Sequence, residues 1–158
     1  MKLTLLVVGR PDRLLREAIE EYERRAARYW SLDVIEVREE RSRRNAPADR
    51  TRDAESERLV ERVPPGTELI ALTRTGDAWS SSRLARHLQQ LALHGEAGAT
   101  FVIGGAQGLS DALLRSADRR MRMSTLTLTH EIARMLLAEQ LYRAGTIVRG
   151  EPYHRGDG

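Results

Sequence analysis

Short apolar runs alternate along this chain with stretches whose hydrophobic residues recur every three or four positions. Residues 3–8 (Leu-Thr-Leu-Leu-Val-Val) form a nearly uninterrupted run closed by Gly9, the pattern of a strand covered on both faces. Asp12 then stands where a helix N-cap would, ahead of Leu14, Leu15, Ala18, Ile19, Tyr22 and Ala26, which predicts a helix to about Tyr29. Residues 32–37 alternate as a second strand. Residues 38–50 are charged and aperiodic, and predict a mobile loop. Asp49 or Thr51 opens a helix to Val63, ended by Pro64-Pro65-Gly66. Residues 68–73 predict a third strand and Thr75-Gly76-Asp77 a turn. Ser80, Ser81 and Ser82 offer caps for a helix over 83–94 with Leu84, Leu88 and Leu91 inward. A turn at 95–98, a fourth strand at 99–103, a short helix from about Ser110 and a last short strand at 122–124 follow. Residues 131–144 predict a final helix, with His130 as its safest N-cap reading. Its core face is Ile132, Ala133, Leu136, Leu137 and Leu141. Met135, Ala138 and Tyr142 widen that face, as expected of a helix covered on more than one side by deep packing or by a second copy.

Strands and helices thus alternate throughout, which predicts an α/β fold: three layers built on a parallel sheet. With 158 residues, no repeat and no linker, the reading is a single domain over 1–158. The first apolar run is too short for a signal h-region or a membrane span. Cysteine is absent, which removes disulfides and thiolate metal sites and fits a reducing cytoplasm. Net charge is only +3, but Lys2 is the sole lysine, so the basic side chains are almost all arginine. Guanidinium groups pair with phosphate and stack on bases, although codon bias and solvated helix faces are the preferred account of most of them.

Candidate chemistry gathers in the last third. Gly104-Gly105-x-x-Gly108 follows a strand and precedes a helix, where glycines let backbone N–H groups approach a ligand at the carboxyl end of a sheet. It matches neither GxxxxGK[ST] nor GxGxxG, and a tight turn explains it as well. Residues 123–129 alternate leucines with small hydroxyl residues, offering amides, carbonyls and an apolar wall; an ordinary loop or edge strand would look the same. Tyr153-His154-Arg155 combines groups that can stack on a base and pair with a phosphate, or it is a frayed end. Among these candidate segments no HExxH, clustered carboxylate pair or GxSxG occurs, so neither metal hydrolysis nor serine acyl transfer has support.

Taken in order, Ile103-Gly104-Gly105 to Gly108-Leu109-Ser110, Ser124-x-Leu126-Thr127-Leu128-x-His130-Glu131, Arg134 to Ala144, and Pro152-Tyr153-His154-Arg155 closely resemble the RlmH family of bacterial ribosomal RNA large-subunit (pseudouridine-N3)-methyltransferases, in the SPOUT superfamily. The resemblance runs from Met1 to the tail and is most specific over 101–155. It implies an α/β domain whose C-terminal part is threaded into a trefoil knot, a homodimer, and an S-adenosyl-L-methionine pocket at the knot near the dimer interface. The implied cofactor positions are Leu72, Gly104, Met123, Ser124, Thr125, Leu126, Thr127 and Leu128, with Gly105 adjacent. Tyr153, His154 and Arg155 are implied at the RNA-facing half of the site, where N3 of a pseudouridine in 23S rRNA would take the methyl group, on the assembled ribosome. His154 is then a candidate general base, Arg155 a stabiliser of the developing uracil anion and Tyr153 a group that stacks on or positions the base. Thr73 and Thr129 depart from the family pattern, which often has aspartate and proline there. Competing readings are a non-catalytic ribosome-binding protein on the same fold, a SPOUT methyltransferase acting on tRNA, and a generic α/β nucleotide-binding module.

Overall fold

The computed structural model describes residues 1–41 and 45–156. It contains β1 (Lys2–Val8), α1 (Arg13–Ala26), β2 (Ser31–Val37), α2 (Ala48–Val60), β3 (Glu68–Ala78), α3 (Ser81–Leu93), β4 (Gly98–Ile103), α4 (Asp111–Ser116), β5 (Arg119–Arg122) and α5 (His130–Val148). The five strands form one sheet in the order β2-β1-β4-β3-β5, every pair parallel. β4 is buried at every position and sits at its centre.

The continuous apolar runs explain the layering. Alternate residues of a strand point to opposite faces. Leu3, Leu5 and Val7 of β1 join Phe101 and Ile103 of β4, packed with Leu84 and Leu88 of α3 and Leu137 and Leu141 of α5. Leu6, Val8 and Val102 face the other way, onto Leu59 of α2 and Leu113 of α4. On the first face α5 packs against both α1 and α3, which buries Leu137, Ala138 and Leu141 and leaves Ile132, Ala133, Met135, Leu136 and Tyr142 half-buried.

Five expectations shift. Leu14 is 89% exposed rather than part of the α1 stripe, and the α1 helix ends at Ala26. The turn expected at Thr75-Gly76-Asp77 is part of β3. That strand pairs with β5 on both sides of an irregularity, Leu72 and Asp77 both standing opposite Met121. Long-range pairing overrides the local turn signal there, and Gly76 permits it because a Cβ would come within 2.6 Å of the Met121 nitrogen. β5 lies earlier than the 122–124 expected, which leaves 123–129 as a connecting loop. Thr129, not His130, caps α5, its hydroxyl accepting from the Ile132 N–H at 3.3 Å, and the helix continues to Val148. Of the charged loop expected over 38–50, residues 42–44 lie outside the described part, and α2 already begins at Ala48.

Candidate functional site

An all-parallel sheet puts the carboxyl ends of its strands on one edge. At that edge the segments after β4 and β5 meet the irregular stretch of β3. Together they enclose a cavity of about 420 Å³, walled by Leu72, Ile103, Met123, Leu126 and Leu128 on its apolar side.

The glycine loop is shaped by contacts that only glycine allows. A Cβ on Gly104 would lie 2.5 Å from the Gly108 carbonyl carbon, and Gly108 itself has φ +79°. Its N–H donates to the Gly105 carbonyl at 3.0 Å, closing the turn. Two residues of α2 support it from behind. The Ser56 hydroxyl accepts from the Ser110 N–H at 2.9 Å. Glu55, 2% exposed, lies so close that a Cβ on Gly105 would sit 2.9 Å from its Oε1. Burial pushes the Glu55 carboxyl upward, and the Glu40 N–H donating to its other oxygen only partly opposes this.

The 123–129 loop is pinned more lightly. Ser124 accepts from the Leu126 N–H at 2.9 Å, and Arg74 donates to the Thr127 hydroxyl at 3.0 Å. Leu72, Gly104, Gly105, Met123, Ser124, Leu126, Thr127 and Leu128 all line the cavity, whereas Thr125 is exposed and does not. The wall also includes His130, which the sequence offered as a helix cap or a ligand contact, and Arg52, Arg74 and Arg122, which it did not single out. Arg52 arrives from α2, far away in the chain, and no local pattern marks it. Among the described residues the lining carries no carboxylate, so the cavity is cationic.

Tyr153, His154 and Arg155 are elsewhere. The Tyr153 hydroxyl donates to Glu139 Oε1 at 3.0 Å, its ring packs 4.5 Å from that of Tyr142, and the Arg143 guanidinium lies 4.7 Å above it. Burial, then the Glu139 hydrogen bond, pushes the phenol up to about 12. An Arg143 N–H points at His154 Nδ1 at 3.3 Å, so a neutral His154 there carries its proton on Nε2. That Nε2 is buried with no partner among the described residues. Arg155 is exposed. At about 1.5 Å per residue, Glu139 and Arg143 stand roughly 14 and 20 Å along α5 from its cavity end at His130. The tail is therefore not part of the cavity of its own chain.

The family model described as "Predicted SPOUT methyltransferase" matches residues 1–154. This chain belongs to the SPOUT methyltransferase family. This SPOUT chain is 51% identical over 156 residues to the protein of Gemmatimonas aurantiaca named ribosomal RNA large subunit methyltransferase H, covering 98% of the chain and 100% of that relative. It is 40% identical over 159 residues to the protein of the same name from Acetivibrio thermocellus, covering 98% and 100%. A solved structure titled probable methyltransferase, from Bordetella pertussis Tohama I, superposes with a TM-score of 0.55 over 91% of this chain and 96% of that one, at 16% identity. That last likeness supports the fold alone. Among the described residues no helix is long and apolar enough to cross a membrane.

Proposed function

We propose that this SPOUT chain transfers a methyl group from S-adenosyl-L-methionine to N3 of a pseudouridine in 23S rRNA, on the assembled ribosome. The observation that carries this is the cavity itself. Its apolar wall suits an adenine ring, and the close backbone approach at Gly104 leaves main-chain groups of the glycine loop next to bound ligand. The shared name of two relatives, aligned over nearly the whole chain, supports large-subunit rRNA as the substrate. The bound donor supplies an electrophilic methyl carbon. The protein's work is to hold the donor, orient the base and manage one proton.

Leu72, Gly104, Gly105, Met123, Ser124, Leu126, Thr127 and Leu128 hold the donor in this reading. Tyr153, His154 and Arg155 face the base. Because the tail stands well away from the cavity of its own chain, the reading requires a homodimer in which one subunit's tail completes the partner's cavity. The knotted threading expected from the family belongs to the same proposal. The phenol of Tyr153 stays neutral at physiological pH and serves to position the base. His154 acts as proton acceptor only once the Arg143 contact at Nδ1 opens, and Arg155 stabilises the uracil anion.

Purified protein, S-adenosyl-L-methionine and either assembled ribosomes or naked 23S rRNA lacking the modification provide the test. Transfer to one pseudouridine, much faster on ribosomes, is expected. Equal transfer to naked rRNA would overturn the assembled-ribosome reading, and no transfer to either would overturn the activity.

A further inference from the structure

Three arginines line the cationic cavity, and they are not equivalent. Arg52 is engaged by Asp53 at 3.1 Å and Asp49 at 3.4 Å. Arg74 is tied to Thr127. Arg122, the last residue of β5, is different. Its Nε is buried and has no hydrogen-bond partner among the described residues. It takes part in none of the arginine–carboxylate pairs among them.

Arg122 and Met123 also line a second cavity, of about 310 Å³, between the Trp79–Leu84 segment and Leu136 and Gln140 of α5. Arg122 thus lines two hollows, neither of which contains a carboxylate among its lining residues. A buried guanidinium hydrogen without an acceptor is costly, and an oxyanion is the partner that removes the cost with the best geometry.

Two oxyanions come within the chemistry proposed above: a phosphate of the RNA and the carboxylate of the methyl donor. An RNA phosphate stays on the polymer backbone at the mouth of a cavity. The carboxylate is carried inside by the ligand the cavity would hold. The donor's sulfonium and ammonium are both positive, so its carboxylate is the one group that a cationic wall attracts.

We propose that Arg122 is a specificity-determining residue that pairs with the carboxylate of the methyl donor. The cavity then selects the donor by its amino-acid end as well as by its nucleoside. This rests on the methyl-donor reading of the cavity and adds one residue and one contact to it.

Calorimetric binding of two ligands, S-adenosyl-L-methionine and its decarboxylated analogue S-adenosyl-(5′)-3-methylthiopropylamine, separates the possibilities. The analogue keeps sulfonium, ammonium and nucleoside and lacks only the carboxylate. Wild-type protein should favour the intact donor by about tenfold or more, the range of one charged hydrogen bond. Arg122→Gln should lose most of that preference while binding the analogue as well as wild type does, and Arg122→Lys should restore part of it. Equal weakening of both ligands would mean that Arg122 only props the loop, and would overturn the proposal. An unchanged preference would overturn it too, and a fall in rRNA affinity with a shallower salt dependence would then assign the guanidinium to phosphate. If wild type bound neither ligand, the methyl-donor reading itself would fall; if it bound both equally, only the Arg122 contact would.

Discussion

At the scale of single residues, the ionisable groups away from the cavity do the structural work. Arg134 is nearly buried, its Nε 2.7 Å from Glu23 on α1 and its Nη1 2.7 Å from Glu36 on β2. Burial alone would weaken its charge, and the two carboxylates outweigh that and hold the guanidinium above its ordinary range. Arg134→Met strands both carboxylates and should destabilise the chain by about 3–5 kcal/mol, read from urea unfolding. Tyr153 gives a pH signature. Its folded pKa is raised above its unfolded one, so its contribution to tail docking is complete below about pH 10 and is lost as pH climbs through about 12. Ultraviolet titration should show one tyrosine ionising near 12, and Tyr153→Phe should remove that step. Most of this was not legible in the sequence. Arg134 lies 111 residues from Glu23 and 98 from Glu36, and no spacing rule pairs them. Arg122 follows two other arginines in β5 and nothing local distinguishes it.

At the scale of elements, apolar runs placed β1 to β4, periodicity placed α1, α3 and α5, and cap and stop signals placed α2 and α4, whereas β5 overlaps its expected position only at Arg122. Local pattern erred where a tertiary partner overrules local preference. Gly76 and Asp77 spell a turn but are drawn into a strand by β5, which itself reads as the polar run Arg-Arg-Met-Arg and buries little beyond Met121. The α1–α5 seam depends on Gly145, where an added Cβ would meet the Tyr29 ring atoms at 2.4 Å. Gly145→Ala should therefore cost about 1–3 kcal/mol in thermal or urea unfolding by forcing the ring or helix aside, although alanine is otherwise the better helix former.

At the scale of the whole molecule, the cavity and the tail occupy different regions of one chain, and neither alone is a complete site in the proposed reaction. The motifs that point to function were legible because each is local: a glycine loop, a leucine–threonine loop, an aromatic–basic tail. Their separation was not, because it follows from the length of α5 and from where Tyr153 docks on Glu139. A dimer built on a shared site has a distinctive behaviour. Gly104→Ala, whose Cβ would collide with Gly108, should silence the cavity. The pair His154→Ala and Arg155→Ala should silence the tail. Each variant alone should be inactive, and mixing them should recover about one working site per mixed dimer. No recovery from folded, exchanged subunits would contradict the shared site.

The proposed reaction installs one methyl group on one large-subunit pseudouridine. Mass spectrometry of 23S rRNA from cells with and without the gene for this chain reads that product out. A single pseudouridine should lose a single methyl when the gene is removed and regain it when the gene is restored. An rRNA modification spectrum unchanged by removal of the gene would contradict it.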